Sequence, residues 1–298
     1  MSFKCGTVGV IGRANVGKSS FINAVIKEKV SIVSPKPQTT RNNIMGIYND
    51  DDSQIVFVDT PGVYESKDKL GDFMNKSVTQ ASDDVDVLIV MFDGSRDFTQ
   101  KDFELIKRNS DKKVLLLISK TDLVTFEQMY PKLSKLNDLN VIDIIPFSSV
   151  KRTNIDVILD KVKSLLPDST IENCLFDREE YTDKSVKFIS AEIIREKTLW
   201  YLSEEVPHGI GVHIAVWEEE DNFVRVCADI ICDKPSHKPI IIGSKGSGLK
   251  KIGSAARQDI ERMLDKKVNL ELWVKVKEDW KNNTALLNQI GYNRYDIE

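Results

Sequence analysis

From Cys5 to about Leu166 the chain alternates short apolar runs with longer amphipathic stretches. The runs Cys5–Gly12, Gln54–Asp59, Val85–Phe92, Val114–Ser119 and Val141–Phe147 are almost continuously apolar and too short for helices, which predicts strands buried on both faces. Between them, Ser19–Lys27, Leu70–Gln80, Gln100–Asn109, Phe126–Leu136 and Asn154–Leu165 read as crossover helices. Buried strands recurring between helices predict an α/β fold with a mostly parallel, doubly wound sheet. The run Asn43–Tyr48 leaves room only for a hairpin before Gln54, so it reads as an antiparallel edge strand.

Pro167, Asp168, Ser169 and Thr170 break this rhythm, and a polar stretch follows to about Thr182. Beyond it the pattern is different. Ser185–Glu204 reads as one long helix with apolar positions at Ile189, Ile193, Ile194 and Leu202. Val212–Trp217 and Phe223–Ile231 read as paired strands around the acidic turn Glu218–Asp221. A glycine-rich loop at Gly243–Gly248 precedes helices at Leu249–Ile252 and Ser254–Leu264, a strand Val268–Val276 and a short helix Thr284–Gln289. The expected organisation is an α/β domain over residues 1–168, a linker over 169–182 and a smaller α+β domain over 183–298.

Composition changes this picture little. The 298 residues are 41% apolar and 30% charged, with a net charge of −4, which argues against disorder. The four cysteines form no CxxC pair and have no histidine cluster beside them, so they read as buried hydrophobes. Arg13 and the glycines around it arrive too early for a secretory leader, and no apolar run approaches the roughly 20 residues of a membrane span. The expected compartment is the cytoplasm.

The chemistry is carried by four blocks at strand ends. Gly12-Arg13-Ala14-Asn15-Val16-Gly17-Lys18-Ser19, followed by Ser20, fits the phosphate-binding pattern GxxxxGK(S/T) between a strand and a helix. Such a loop wraps backbone N–H groups around a β-phosphate, with Lys18 on the β- and γ-oxygens and the Ser19 hydroxyl on Mg²⁺. Asp59-Thr60-Pro61-Gly62 ends the strand Gln54–Asp59, where a carboxylate can hold Mg²⁺ through water and the Gly62 N–H can sense a γ-phosphate. Ser119-Lys120-Thr121-Asp122 names the base. Asp122 can accept from guanine's N1–H and exocyclic amine, a pair that adenine lacks. Ser148-Ser149-Val150 can offer a backbone N–H to guanine O6.

These blocks, in this order and spacing, resemble the guanine-nucleotide motifs of translation-factor-type GTPases. The loop Ser34-Pro35-Lys36-Pro37-Gln38-Thr39-Thr40-Arg41 resembles the effector loop of the bacterial Era GTPases, and the resemblance implies that Thr40 reaches Mg²⁺ when GTP is bound. Lys18, Gly62 and Thr40 are therefore the expected catalytic set. Two positions depart from the family pattern. Serine stands at 119 where asparagine is usual, which is expected to loosen the grip on nucleotide. Ser149 replaces alanine at a contact made through backbone. Val63 follows Gly62 where many small GTPases carry a water-orienting glutamine, and valine cannot accept a hydrogen bond. Slow intrinsic turnover is expected, with Asn15 either coordinating K⁺, as in potassium-activated relatives, or capping the loop backbone.

In the second half, Gly243-Ser244-Lys245-Gly246 forms a GxxG loop opening a helix, with Lys250 and Lys251 behind it. The order helix, two strands, GxxG, helix, strand resembles a type II KH domain. The stretches Phe188–Lys197 and Leu270–Lys277 are also similar to the Era family. Residues 234–281 hold 12 Lys/Arg against 6 Asp/Glu, whereas 205–233 hold one Arg against 7 acidic residues, so the GxxG loop lies in the basic part. The resemblance spans nearly the whole chain. It implies a monomeric GTPase that cycles between GTP and GDP, binds 16S rRNA near its 3′ end rather than DNA, assists 30S subunit assembly and contacts the inner face of the cell membrane peripherally. Val63 and Ser119 leave open a nucleotide-gated RNA-binding scaffold with little hydrolysis. An ATP-using P-loop enzyme is opposed by Asp122.

Overall fold

The computed structural model describes residues 2–62, 66–83, 85–136 and 138–292. It divides into two compact units. The first holds the chain up to Ser31, the stretch from Thr40 and the span Asn75–Asp183; the second holds Ile32–Thr39, the stretch up to Met74 and the chain from Lys184 onward.

The elements of the first half are β1 (Phe3–Gly12), α1 (Lys18–Ile26), β2 (Ile44–Asp50), β3 (Ser53–Asp59), α2 (Lys69–Asp83), β4 (Val87–Asp93), α3 (Gln100–Arg108), β5 (Val114–Ser119), α4 (Phe126–Ser134), β6 (Asp143–Pro146), α5 (Ile155–Leu165) and the short β7 (Asp168–Ser169). The sheet runs β2-β3-β1-β4-β5-β6, with β7 pairing back on β1. Only β2 and β7 are antiparallel to their neighbours. Every residue of β3, β4 and β5 is buried, as continuous apolar runs covered on both faces require. Phe21 of α1 meets Phe57 and Phe147 edge-on at ring centroids of 5.8 and 5.3 Å. Each such buried ring contributes about 1.5–3 kcal/mol by removal from water. Because the parallel strands all run one way, their C-terminal ends and the following loops gather on one edge, where ligands bind open α/β sheets.

The polar stretch after β7 is not a free tether. Gln54 lies fully buried in β3 and accepts from the Leu175 and Phe176 N–H groups at 2.7 and 3.1 Å, while its amide donates to the Phe176 carbonyl at 2.8 Å. Further on, the Ile47 N–H donates to the Tyr181 carbonyl at 2.9 Å and Thr182 bridges to Gly46. The segment thereby covers the open edge of β2, whose unpaired backbone groups would otherwise be a site for strand pairing. Composition shows the polarity of this stretch but not the partner that satisfies it.

The second unit contains α6 (Val186–Tyr201), β8 (Ile210–Glu219), β9 (Phe223–Cys232), α7 (His237–Ile242), α8 (Ser247–Leu264), β10 (Lys267–Val276) and α9 (Thr284–Gln289). Ser185 caps α6 by accepting from the Phe188 N–H at 3.2 Å. The sheet is β10-β9-β8, with β9 and β10 parallel and β8 antiparallel with an irregularity at Ile214/Val216. Ile193, Ile194, Ile252, Ala256 and Ile260 from the helices pack with Val212, Val226, Ile230 and Val268 from the strands in one core. Two corrections follow. The expected helices Leu249–Ile252 and Ser254–Leu264 are one helix, α8, which tolerates Gly253 at about 1 kcal/mol relative to alanine because Leu272 packs onto that spot. The helix α7 was not expected: six residues containing Pro239 carry too little periodicity to announce one.

Candidate functional site

The phosphate-binding loop leaves the C-terminal end of β1 and turns into α1 through Gly17, whose backbone lies at φ 101. No side chain caps α1, so its first N–H groups face the loop's concavity. Asn15 is left-handed at φ 64, which curls Arg13–Val16 around that space. Lys18 is buried at 6% exposure, and its Nζ donates to the Gly12 and Arg13 carbonyls at 3.2 and 3.3 Å. Burial lowers its pKa to about 8, and the nearby Asp59 carboxylate only partly offsets this.

Three side chains from three elements converge beside the loop. Ser19 Oγ donates to Asp59 Oδ2 at 2.7 Å, and the Ser19 and Thr40 hydroxyls lie 2.9 Å apart. Thr40 Oγ1 is 3.4 Å from the same carboxylate oxygen. The other oxygen, Asp59 Oδ1, is buried and meets no donor at hydrogen-bonding geometry. Burial raises the Asp59 pKa, opposed by the Lys18 charge and the Ser19 hydrogen bond. A buried carboxylate with an unused oxygen beside two hydroxyls is the hard-oxygen donor set that Mg²⁺ takes. Thr60 Oγ1 ties its loop to the Val10 carbonyl at 2.7 Å. Gly62 runs so close to the phosphate-binding loop that a Cβ there would meet Ala14 backbone at 2.8 Å, so only glycine fits. Val63 lies outside the described residues.

The block Ser119–Asp122 is joined to the same loop. Ser119 Oγ donates to the Val16 carbonyl at 2.6 Å and reaches the Phe92 carbonyl at 3.0 Å. Serine at this position thus keeps a tie to the phosphate-binding loop. Lys120 Nζ donates to the Asn15 carbonyl at 2.6 Å and to Asp93 at 2.7 Å. Burial acts to raise the Asp93 pKa, but the Lys120 and Ser95 hydrogen bonds outweigh it and the net shift is downward. Ser148 Oγ donates to Asp122 Oδ1 at 2.6 Å, which fixes one carboxylate oxygen and orients the group. Thr121 and Asp122 lie in a single turn after β5, while in the loop after β6 Ser149 is half-buried and Val150 exposed. Sequence reasoning missed Asp93, whose signal was a carboxylate ending the apolar run Val87–Phe92.

In the second unit the GxxG loop precedes α8, with Lys245 and Gly246 left-handed at φ 50 and 79. Gly243, at φ 73, lies against Gly248 so closely that a Cβ would meet its backbone N at 2.7 Å. Ser244 and Lys245 are exposed, and no side chain caps the start of α8. A cleft of about 560 Å³ runs from Gly246 along α8 and β10 and is lined by Lys250, Arg257, Asn269 and Leu270 among others. Lys251 is exposed and lies outside that lining. Arg257, seven residues after Lys250, shares its helix face because α8 runs unbroken through Gly253, and it was missed because the sequence reading broke the helix there. No helix among the described residues is long and apolar enough to cross a membrane.

A guanine-type P-loop unit with a mostly parallel sheet, followed by a KH unit, defines a GTPase with an attached nucleic-acid-binding fold. Family models agree: one described as a 50S ribosome-binding GTPase matches residues 7–120, and a KH domain model matches residues 205–281. The chain is 42% identical to the GTPase Era of Ruminiclostridium cellulolyticum, over 98% of each chain. It is 44% identical to that of Caldanaerobacter subterraneus, over 98% of this chain and 99% of the relative. Among solved structures, a variant of Aquifex aeolicus Era bound to GDP·AlF4⁻ superposes with a TM-score of 0.92 at 35% identity, covering 97% and 99% of the two chains. Era in complex with MgGDPNP and nucleotides 1506–1542 of 16S ribosomal RNA gives the same TM-score at 36% identity and the same coverage. The chain belongs to the Era family and is a GTPase.

The depressed lysine gives a pH signature. If Lys18 meets the phosphates of a bound nucleotide it must be charged there, whereas burial lowers its pKa to about 8 without nucleotide. Affinity should be level below that value and fall by up to about tenfold per unit above it, because binding must then take up a proton. Titration of a fluorescent GTP analogue between pH 7 and 9 should show the slope in the native protein and not in Lys18→Arg, whose guanidinium does not titrate there. Parallel slopes in the two proteins would refute the assignment.

Proposed function

We propose that this GTPase is a switch whose second unit binds 16S rRNA near its 3′ end and which assists assembly of the small ribosomal subunit, as a cytoplasmic monomer. The observation that carries this reading is the likeness, over 97% of the chain, to Era holding MgGDPNP and a 16S rRNA fragment. The cleft along α8 and β10 supports it, with a close-approach glycine loop at one end and Lys250 and Arg257 on its wall. The reading sets the G domain at residues 1–168, the linker at 169–182 and the KH domain at 183–298.

In the G domain, residues Gly12–Ser20, 59–63, Ser119–Asp122 and 148–150 form the GTP pocket. Lys18 sets its charge on the β- and γ-phosphate oxygens, and the Gly62 N–H donates to the γ-phosphate. Lys120, held by Asp93 and the Asn15 carbonyl, lies along the guanine, and Asp122, oriented by Ser148, accepts from its edge. Ser19 and Thr40 would hold Mg²⁺ directly and Asp59 through water; when bound, the ion neutralises charge on the transferring phosphoryl group. Asn15 would hold K⁺, in the place of an arginine finger. Exchanging K⁺ for Na⁺ should then slow turnover of the native protein but scarcely affect Asn15→Ala. Equal sensitivity of both would dispose of the potassium role.

The RNA assignment is tested separately from the GTPase. Gly246 has open space around it but a backbone at φ 79, and aspartate tolerates that conformation better than most residues. Gly246→Asp should weaken binding of a 3′-terminal 16S rRNA fragment at least tenfold by charge repulsion at the loop. Lys250→Ala should cost less and reduce the dependence of affinity on salt by about one ion. Turnover without RNA should stay near the native rate in both. Unchanged RNA affinity in Gly246→Asp would remove the KH loop from the RNA site.

A further inference from the structure

Within the second unit, the effector segment Ile32–Thr39 is gripped at both ends by one face of α6. The Val33 peptide is held twice: its N–H donates to Glu196 Oε1 at 2.9 Å and its carbonyl accepts from Trp200 Nε1 at 2.9 Å. At the other end, the Arg195 guanidinium donates to the Gln38 carbonyl at 3.4 Å and to the Thr39 carbonyl. Arg195 is completely buried, and its charge is met by the Glu192 carboxylate, which accepts from Nε at 2.7 Å. Between these ends the loop closes on itself, with the Ser34 and Thr39 hydroxyls 2.8 Å apart and Thr39 Oγ1 donating to the Lys36 carbonyl at 2.7 Å. Gln38 is left-handed at φ 60, a conformation that a residue of its type keeps only when its surroundings fix it.

We infer that Arg195, Glu196 and Trp200 are positioning residues for Thr40, holding the effector loop so that the threonine hydroxyl is presented to the metal-binding cluster. The chemistry is specific. Arg195 carries several donors in a rigid fork, and only such a group can serve a carboxylate and two adjacent carbonyls together. It grips the carbonyl of Thr39, the residue immediately before Thr40, whose hydroxyl lies 2.9 Å from that of Ser19. A loop ordered in advance does not lose its freedom when the metal and nucleotide bind, so the grip acts on the affinity for Mg²⁺ in the triphosphate state. A diphosphate complex does not use Thr40 and is indifferent to the grip. The inference rests on the reading of Thr40 as a Mg²⁺ ligand.

The test is equilibrium binding of a fluorescent non-hydrolysable GTP analogue across a Mg²⁺ series, with GDP binding measured on the same samples. Trp200 is 55% exposed, so Trp200→Phe removes one donor while leaving the fold in place. Arg195→Lys keeps the buried charge but cannot span both carbonyls. Each should raise the half-saturating Mg²⁺ concentration for the analogue about three- to tenfold, the effect of one lost hydrogen bond, and leave GDP affinity within about twofold. Added to Thr40→Ala, neither should produce a further shift. If Thr40→Ala alone leaves the Mg²⁺ dependence unchanged, the metal reading fails and the inference falls with it. If Thr40→Ala shifts it but the α6 variants do not, or if they weaken GDP equally, the inference alone is overturned.

Discussion

The nucleotide site is organised around one buried carboxylate. Asp59 ends the buried strand β3 with one oxygen shared between the Ser19 and Thr40 hydroxyls and the other without a hydrogen-bond partner. Burial makes that charge costly, and the cost is relieved by Lys18 on one side and by hydroxyls on the other. Lys18 is itself buried, so each of the two charges stabilises a partner that burial would otherwise neutralise. A divalent cation completes such a set. The elements that bring the three oxygens together are the end of β3, the start of α1 and the loop that ends at Thr40.

The strand and helix pattern of the first half was readable because β3, β4 and β5 are apolar throughout and the phosphate-binding loop stands between a strand and a helix. The candidate metal and base residues were readable because they fall in short blocks of fixed spacing, most of them just after a strand, with Ser19 opening α1. What escaped lies in contacts remote in sequence. Gln54 read as an ordinary strand residue, and nothing local shows that it meets Leu175 and Phe176, more than a hundred positions away. Asp93 is a carboxylate whose role depends on Lys120 folding back to it across a neighbouring strand. The GxxG loop was legible, but Arg257 joins it only once α8 is known to be one continuous helix.

The same limit hid the grip on the effector loop. Glu196 and Val33 are 163 residues apart, and both belong to stretches that read locally as a helix face and a polar loop. Arg195 looks in sequence like a solvated helix charge, yet it is wholly buried. A buried guanidinium is tolerated only where its donors are met, so its partners are informative: one carboxylate on its own helix and the backbone of the segment leading to Thr40. That pairing joins α6 to the segment that leads into Thr40.

The proposed switch turns on whether nucleotide state governs RNA binding. The direct measurement is the affinity of the intact chain for a 3′-terminal 16S rRNA fragment, at fixed salt and saturating Mg²⁺, with a non-hydrolysable GTP analogue and with GDP. The account predicts affinities that differ by at least fivefold between the two states, the lower end of a typical coupling between linked sites of about 1 kcal/mol. Equal affinity in both states would contradict it, leaving a GTPase and an RNA-binding module that share a chain without sharing a switch.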